Sequence, residues 1–360
     1  MTTLVTTPAE MTVEWFNAVL GRTQVLDGAR IVAVTLDRIG HGMIARMVRA
    51  VLEYDRETTA PASVVVKFPT DDPGSLQVAR AMGLYEQETR FYRDVAPLLA
   101  GMSIPACHLA EIDEDTGGFT LVLEDLSGRT RPGDVLTPCT LAECASGLSE
   151  LVRFQSPLWN SPVVAKLAWL ADRRRTHQVF DALPAGLGSF VERFGRGLAP
   201  EHVKLFETVL PRAGEWVRSW SEPSVVQHGD FRSDNLMFAA APGVPTVTVI
   251  DFQTVRLGPP GVDPAYFLAS CLSTADRRKA ERDLIAEYHR GLLANGVGGF
   301  DFDACWKAYR AGAMYGVFLF VGMAGQVEST ERGDRLIVEQ IRRFADMALD
   351  LDAPTAAGLS

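Results

Sequence analysis

Short runs of apolar and β-branched residues in the first third of the chain predict β-strands. Ile31–Leu36 and Val48–Tyr54 are two such runs, and a glycine-bearing turn separates them. Ser63–Phe68, which prolines bracket, is a third run, and Phe119–Leu126 is a fourth. The pattern predicts a hairpin followed by further strands.

Apolar residues recur at helical spacing in most of the remaining chain. Thr7-Pro8-Ala9-Glu10 is a helix-start signal and predicts an amphipathic helix to about Leu20. Leu84–Val95 predicts a second helix. From Leu141 onward, helices are predicted at residues 141–158, 169–175, 188–194, 202–220, 274–295, 302–325 and 331–351. Strands are thus expected mainly in the first third of the chain and helices mainly from Leu141 onward.

Composition and charge narrow the class of protein. A chain of 360 residues has room for two lobes, and 47% apolar with 22% charged residues is ordinary for a soluble enzyme. The net charge of −10 argues against a nucleic-acid-binding protein and weakly favours cationic substrates.

The cysteines and the apolar segments bear on the compartment. Five cysteines, an odd number without a Cys-x-x-Cys pair, predict free thiols in a reducing cytosol. The N-terminus lacks the basic flank and apolar core of a signal peptide. Ala311–Gly325 is shorter than a bilayer span and predicts a buried helix. We therefore expect a cytoplasmic protein without a membrane partner.

Three polar side chains between residues 230 and 251 are candidates for a catalytic site. Asp230 and Asn235 lie five positions apart on a loop, and Asp251 ends the strand-like run Thr246–Ile250. The Pro242-Gly243 turn between them predicts a hairpin that returns Asp251 to the loop. Taken singly, each residue is more ordinarily a turn or cap residue. Together, two carboxylates and an amide oxygen match the needs of phosphoryl transfer from Mg-ATP.

At these residues the chain resembles the protein-kinase-like phosphotransferases. His228-Gly229-Asp230, Asn235 and Asp251-Phe252-Gln253 carry the resemblance, which is greatest to the aminoglycoside phosphotransferase and choline kinase branch and, within it, to bacterial relatives of the ecdysteroid kinases. It covers residues 40 to 325 approximately. It implies a two-lobed kinase-like α+β fold, with a small antiparallel-sheet lobe (residues 1–126) and a mainly helical lobe (127–360).

The resemblance also implies an activity and roles for the loop residues. The γ-phosphoryl group of ATP would pass to a hydroxyl of a small molecule. Asp230 would act as the catalytic base or orient the acceptor hydroxyl, and Asn235 and Asp251 would hold Mg²⁺. Arg232 would stabilise charge on the transferred group, although an exposed loop arginine is the simpler interpretation. His228 is expected to brace the loop.

A lysine and a glutamate are candidates for the nucleotide site. Lys67 ends an apolar strand, where an ammonium either escapes to solvent or finds a partner. The kinase resemblance implies that Lys67 binds the α- and β-phosphates and pairs with a glutamate of the next helix. Glu88 shares a helix face with Leu84 and Phe91, so it is favoured over Glu86 as that partner.

Two further segments are expected at the nucleotide. Gly40 and Gly42 lie in a Gly-x-Gly-x-x-Ala turn that would cover the phosphates, with Ala45 where the kinase pattern has a third glycine. Alone, this motif is weak. The strand that ends at Glu124 resembles the kinase hinge, which implies adenine contacts from the Glu124 carbonyl and the Leu126 amide.

Other sequence features bear on the kinase resemblance, and several functional alternatives remain open. Phe154-Gln155-Ser156 stands where relatives carry Leu-His-Ala, which removes a histidine that often supports the catalytic loop. No P-loop is present, and no Ala-Pro-Glu segment follows Asp251, which favours a small-molecule acceptor. Aminoglycosides, other antibiotics, choline-like amines, sugars and steroid-like alcohols remain open, as do ATP or GTP as donor and the oligomeric state. The rivals are a non-catalytic nucleotide-binding protein with a kinase fold and, less favoured, a protein kinase.

Overall fold

The computed structural model describes residues 3–40, 44–99, 101–221, 223–244, 246–324 and 331–359. Its N-terminal part contains a five-stranded antiparallel sheet with the strand order β1-β2-β3-β5-β4. The strands are β1 (Ile31–Ile39), β2 (Ala45–Tyr54), β3 (Ser63–Pro69), β4 (Cys107–Ile112) and β5 (Phe119–Glu124). The predicted hairpin is therefore present as β1 and β2, whereas β4 was not predicted.

The central strand β3 separates an apolar face of the sheet from a face that carries chemistry. Successive side chains of a strand point to opposite faces. Val64, Val66 and Phe68 are fully buried in a cluster with Phe16 of helix α1 (Val13–Leu20). Lys67 consequently points to the other face.

The helix predicted from Thr7 is divided, so that prediction was wrong in its start. Pro8–Glu10 forms a separate 3₁₀ turn, in which the Glu10 carboxylate accepts a hydrogen bond from the Thr7 amide at 2.8 Å. Helix α1 begins only after Thr12, whose hydroxyl accepts from the Trp15 amide at 3.2 Å. Thr12 is a second capping residue, and its extended backbone interrupts the helix.

Two helices connect β3 to β4. Helix α2 (Pro73–Met82) was not predicted, although Asp72 caps it by accepting from the Ser75 amide at 2.7 Å. Helix α3 (Leu84–Arg90) follows at the predicted place and continues into a π-helical turn at Phe91–Val95. Such turns often occur near functional sites.

Short strands carry the loop region of the second half. Strand β7 (Val225–Gln227) pairs with β10 (Arg256–Gly258), and β6 (Thr130–Pro132), β8 (Leu236–Ala239) and β9 (Val247–Val249) form a three-stranded sheet. Strands β8 and β9 are antiparallel, with Leu236 opposite Val249. The hairpin predicted to return Asp251 to the loop is thereby confirmed.

Helices make up most of the remaining chain, as predicted. They are α4 (Leu141–Gln155), α5 (Ala168–Ala171), α6 (Arg174–Ala182), α7 (Leu187–Phe194), α8 (Pro200–Val209), α9 (Ala213–Arg218), α10 (Val262–Cys271), α11 (Thr274–Ala294), α12 (Phe302–Gly312), α13 (Met314–Ala324), α14 (Glu331–Asp350) and α15 (Ala353–Ala356). The helix predicted at residues 202–220 is two helices, because Pro211 lies in a 3₁₀ turn between them.

An antiparallel sheet followed by a helical remainder confirms the α+β class. Strand β5 ends at Glu124, two residues before the expected lobe boundary. Within the part of the chain that the structure describes, no helix has both the length and the apolarity to cross a bilayer.

Candidate active site

Lys67 lies at the centre of a buried group of three charges. Its Nζ is 2.7 Å from Glu88 Oε2 and 3.0 Å from Asp251 Oδ1. The side chains of Lys67 and Glu88 are only 9% and 2% exposed, whereas that of Asp251 is 27% exposed. One ammonium thus serves two carboxylates, and the carboxylate nearer to solvent is that of Asp251.

The structure separates Glu88 from Glu86 as helical spacing predicted. Glu88 faces Lys67, while Glu86 turns outward and pairs with Arg90 at 3.2 Å and Arg175 at 3.0 Å. The Lys67–Glu88 ion pair is therefore present. Its role in binding a nucleotide stays a prediction.

Burial and charge change the ionisation of this group. Burial raises the pKa of Glu88 to about 7, against the opposing effect of the Lys67 ammonium. Burial alone would favour a neutral Lys67, but the carboxylates of Asp251 and Glu88 outweigh it and raise the pKa of Lys67. Lys67 consequently stays charged, and one excess negative charge remains in the group when both carboxylates are ionised.

Asp251 is held in a backbone conformation that non-glycine residues rarely adopt. Its φ is +67°, in the left-handed region. The next residue, Phe252, is fully buried and stacks on Phe91, with ring centroids 3.7 Å apart and planes 7° apart. Phe91 lies three residues after Glu88, so this stacking fixes the Asp251 backbone against the segment that carries Glu88. Strain of this kind is often found at functional sites.

Asp230 is held by hydrogen bonds to both of its carboxylate oxygens. The Asn235 amide donates to Oδ2 at 3.0 Å, and the Tyr266 hydroxyl donates to Oδ1 at 3.2 Å. Burial raises the pKa of Asp230, although the Arg232 guanidinium opposes that effect. The carboxylate is thus fixed in orientation and is more basic than an exposed aspartate.

Asn235 connects Asp230 to Asp251. The side-chain nitrogen of Asn235 also donates to the backbone carbonyl of Asp230 at 2.8 Å. The backbone carbonyl of Asn235 accepts from the Ile250 amide at 3.0 Å. Because the side-chain nitrogen is used in these bonds, Oδ1 is the atom of Asn235 suited to bind a cation. Asn235 therefore joins the two loops through its backbone and side chain together.

Asp263, on the first turn of α10, holds the backbone of the Asp230 loop by hydrogen bonds. Its carboxylate accepts from the His228 amide at 2.8 Å and from the Gly229 amide at 3.0 Å, and it is almost fully buried. In the sequence, Asp263 followed by Pro264 is an N-cap signal and predicts a helix that starts at Pro264, and this prediction was wrong. The helix begins at Val262, so Asp263 lies inside its first turn and its carboxylate binds the loop amides instead.

His228 braces the loop, as expected. Its Nδ1 accepts from the Asp230 amide at 3.3 Å, which leaves Nε2 to donate to the Ile250 carbonyl at 3.0 Å. Gly229 follows with φ +82°, and a Cβ there would lie 2.5 Å from the Thr254 carbonyl oxygen. Only glycine fits this turn.

Arg232 lies beside the carboxylates rather than in open solvent. Its Nε is 3.5 Å from Asp230 Oδ1, and its Nη2 is 3.3 Å from Asp234 Oδ2. The side chain is 29% exposed, so the guanidinium borders both Asp230 and the solvent-accessible side of the loop. A ligand anion arriving there would meet a cation already held in position.

The other predicted nucleotide residues that the structure describes lie at or just beyond the ends of strands β1 and β5. Gly40 has φ +71°, which favours glycine, while Gly42 falls outside the described residues. The Glu124 amide donates a hydrogen bond to the Ala106 carbonyl at 2.8 Å. Among the described residues, none accepts a hydrogen bond from the Leu126 amide, which suits the predicted contact with adenine. That contact stays a prediction.

Gln155, at the position where relatives carry histidine, is fully buried. Its Oε1 accepts from the Tyr288 hydroxyl, and in the described part of the chain its Nε2 has no hydrogen-bond partner. Gln155 thus bonds toward α11, while Asp263 and Asn235 support the catalytic loop.

Tyr266 and Asp263 are the site residues whose contacts sequence reasoning missed. Both lie on α10 and touch the loop 34 to 36 positions earlier in the chain. Because every residue of α10 is buried, the helix has no separate polar and apolar faces from which its contacts could be predicted. An aspartate and a tyrosine in an otherwise apolar helix were the available clue, since buried polar groups require partners.

Comparisons with known proteins identify a family for this chain. The sequence profile of the phosphotransferase enzyme family, APH, matches residues 39–301. No curated protein sequence matches the chain significantly.

Solved structures share the fold at low sequence identity. The GDP complex of wild-type aminoglycoside 2'-phosphotransferase-IIIa is 16% identical, with 92% of this chain and 99% of that chain covered and a TM-score of 0.52. The gentamicin complex of APH(2'')-IIa is also 16% identical, with 96% and 99% covered and a TM-score of 0.52. An ethanolamine kinase of Plasmodium vivax is 9% identical, with 96% and 89% covered and a TM-score of 0.52.

Proposed function

The chain belongs to the phosphotransferase enzyme family, and from this premise we propose that it transfers the γ-phosphoryl group of ATP, with Mg²⁺, to a hydroxyl of a small molecule. The observation that carries the proposal is the placement of Asp230. Its carboxylate is fixed through both oxygens by Asn235 and Tyr266 and lies beside the Arg232 guanidinium.

Asp230 is assigned to the acceptor hydroxyl. It orients the hydroxyl for attack and takes its proton late in a loose transition state, so its position matters more than its basicity. Its raised pKa nevertheless favours proton uptake. Arg232 is assigned to the charge on the transferred group, because it is the cation held next to the base.

Lys67 and Leu126 are assigned to the nucleotide. Lys67 stays protonated between Glu88 and Asp251 and binds the α- and β-phosphates in this proposal. The Leu126 amide is available for adenine. Strand β3 carries Lys67, α3 carries its partner Glu88, and the backbone hydrogen bond from the Ile250 amide to the Asn235 carbonyl joins the Asp251 segment to the Asp230 loop.

The donor set fits Mg²⁺. Asp251 and Asn235 Oδ1 are hard oxygen ligands, and Mg²⁺ commonly takes only one or two protein ligands together with water and phosphate oxygens. The excess negative charge beside Lys67 also favours a cation. When bound, the ion would neutralise charge on the phosphates.

The acceptor is proposed only as a small hydroxylated molecule. A molecule that also carries an amine is the first class to examine, since gentamicin and ethanolamine are named with the structures of similar fold, and the chain has a net charge of −10. Other antibiotics, sugars and steroid-like alcohols remain within the proposal.

A mass-spectrometric screen tests the proposal. The full chain is incubated with Mg-ATP and pools of aminoglycosides, amino alcohols, sugars and sterols, and products carrying one added phosphate are sought. The Asp230→Asn protein is the matched control. We expect a phosphorylated small molecule that the control does not form.

Two other results would contradict the proposal. Phosphate on the protein itself or on an added peptide, with none on any small alcohol, would favour a protein kinase. Failure of the folded protein to bind Mg-ATP in an equilibrium titration would exclude ATP as the donor and with it the proposed reaction.

A further inference from the structure

Three cysteines that are far apart in the sequence meet beside the catalytic loop. The Cys144 and Cys271 thiols neighbour the Cys139 thiol and influence its ionisation. Cys144 and Cys271 are buried, whereas Cys139 is partly exposed. Scattered free thiols were expected from the sequence, but the fold collects three of them, at the start of α4 and the end of α10.

A backbone hydrogen bond fixes the spacing of one pair. The Cys139 amide donates to the Cys271 carbonyl at 2.9 Å. Such a bond keeps the two Cα atoms within the separation of about 4.4–6.8 Å that a disulfide requires. Cys139 and Cys271 can therefore be joined with little backbone movement.

The segment that ends at Cys139 runs across the catalytic loop. We call residues 133–139 the strap. The Gly133 amide donates to the Leu236 carbonyl at 2.9 Å, and the Val135 amide donates to Asp234 Oδ1 at 2.7 Å. The fit is close, because a Cβ at position 133 would lie 2.1 Å from the Ser233 carbonyl oxygen. Movement of the strap must therefore move the loop.

The other end of the pair is also joined to the site. Cys271 is the last residue of α10, the helix that carries Tyr266 and Asp263. Tyr266 holds the Asp230 carboxylate, and Asp263 holds the loop amides. A bond between Cys139 and Cys271 thus connects the two elements that position Asp230.

The environment of Cys139 favours its ionisation. Hydrogen bonds from Cys144 and Cys271, with a smaller effect of the Arg131 guanidinium, lower the pKa of the Cys139 thiol. A partly exposed thiolate is the form that reacts with oxidants. Burial raises the pKa of Cys271, so Cys271 stays protonated and reacts only in the second step, with the oxidised Cys139.

We propose that Cys139 and Cys271 are a peroxide-oxidised thiol pair whose disulfide fixes the strap to α10 and slows phosphoryl transfer. The Cys139 thiolate attacks hydrogen peroxide: an S–O bond forms, the O–O bond breaks and hydroxide leaves. Cys271 then attacks the Cys139 sulfur: the S–S bond forms and the S–O bond breaks. The sulfenic hydroxyl leaves with the Cys271 proton as one water, and the hydroxide from the first step takes up the proton that the Cys139 thiol had lost, giving the second water. Two thiols are oxidised by two electrons, and one peroxide is reduced to two waters.

The effect on activity follows from close packing. The two sulfurs must approach to about 2.05 Å to bond, which is closer than any non-bonded contact allows. The strap and α10 both touch the Asp230 loop, so this approach shifts the carboxylate from its position. A displacement near 1 Å at a catalytic group costs about a hundredfold in rate, and we expect at least a tenfold fall. This part of the proposal rests on the proposed function, whereas formation of the disulfide does not.

The test treats the full chain with graded hydrogen peroxide, blocks free thiols with N-ethylmaleimide and maps cross-linked peptides by mass spectrometry. A Cys139–Cys271 cross-link is expected in the wild type, lost in Cys139→Ser and in Cys271→Ser. Cys107→Ser is the matched control and should still form it. Cys107 is also partly exposed, but burial raises its pKa to about 12 and its thiol donates to the Leu109 carbonyl at 3.3 Å.

Phosphotransfer is then measured before and after dithiothreitol. The expected result is a fall of at least tenfold in the oxidised wild type, reversed by dithiothreitol and absent in Cys139→Ser. A cross-link between Cys139 and Cys144, no cross-link at all, or a cross-link that leaves the rate unchanged would each overturn the proposal. Reduced protein without phosphotransfer would refute the proposed function instead, because the peptide map does not depend on activity.

Discussion

The two sides of the candidate site hold their carboxylates by different means. On the sheet side, Glu88 and Asp251 share the ammonium of Lys67, so ionic contacts of 2.7 and 3.0 Å dominate. On the helical side, Asp230 is held by the neutral donors Asn235 and Tyr266, and its nearest cation, Arg232, is 3.5 Å away.

This difference corresponds to two tasks. The sheet side carries excess negative charge around a fixed cation, an arrangement suited to phosphates that arrive with a metal ion. The helical side fixes the direction of a carboxylate without neutralising it, which suits a group that must receive a proton. Charge thus organises the proposed nucleotide half, and hydrogen-bond geometry organises the proposed acceptor half.

The largest expected effect separates the two halves. Asp230→Asn should lower kcat about a thousandfold and leave nucleotide affinity nearly unchanged, because the amide cannot take the proton and has only one of the two acceptor oxygens that Asn235 and Tyr266 hold in position. Lys67→Met should instead weaken nucleotide binding about 10- to 100-fold, the value of a charge-assisted hydrogen bond. Steady-state kinetics and nucleotide titration on both variants would measure this. Equal loss of nucleotide affinity in both variants would break the comparison.

A smaller effect is expected from the hydrogen bond to Asp230. Tyr266→Phe keeps the ring that stacks on Phe344 at 5.1 Å but removes the donor to Asp230. We expect kcat to fall about tenfold and the acidic limb of the pH–rate profile to move to higher pH, because the ionised carboxylate loses a hydrogen bond. The KM for ATP should change little.

Tyr309→Phe is the control for that variant. It removes an equally buried hydroxyl, which donates to Glu281 at 3.0 Å away from the loop. Its pH–rate profile should match the wild type. A shift in both variants, or in neither, would mean that Tyr266 acts through the fold rather than through Asp230.

The smallest expected effect is on stability and concerns the sheet side. Burial raises the pKa of Glu88 from 4.5 to about 7, so between these values the folded protein binds a proton that the unfolded chain has lost. The contribution of Glu88 to the free energy of unfolding should therefore fall as pH rises from about 4.5 to about 7. Glu88→Gln cannot titrate, so its stability relative to the wild type should increase over this range.

Urea denaturation at pH 5 and pH 8 would measure the difference. Glu86→Gln is the control, since Glu86 pairs with arginines nearer the surface, and its stability difference from the wild type should stay constant. A constant difference for Glu88→Gln as well would mean that the paired Lys67 offsets the cost of burying this carboxylate.

Much of the sheet side was predictable from the sequence. The apolar, β-branched run Ser63–Phe68 predicted strand β3, and helical spacing chose Glu88 over Glu86. Both are local regularities, because they depend on residues that are neighbours in the chain. The loop and the hairpin leading to Asp251 were also readable, because turn residues and β-branched runs mark them.

The helical side was less predictable. The sequence placed Asp230 and Asn235 on a loop, but the contacts of Tyr266 and Asp263 with that loop were not foreseen, and Asp263 was taken for a cap. Likewise, Thr7 appeared to start a helix that begins only after Thr12. In each case a residue type that commonly caps helices stands near the true helix start, and tertiary packing decides at which residue the helix begins.

The sequence by itself predicted most of the strands and helices, because these depend on neighbours in the chain, and its motifs, through the resemblance that they carry, indicated the class of fold and the candidate residues for phosphoryl transfer. The tertiary structure decided which groups meet: Tyr266 with Asp230, Asp263 with the loop amides, and Cys139 with Cys271. These partners are 34 to 132 positions apart. No periodicity connects such residues, and their contacts arise only when the helices and sheets bury their apolar faces together.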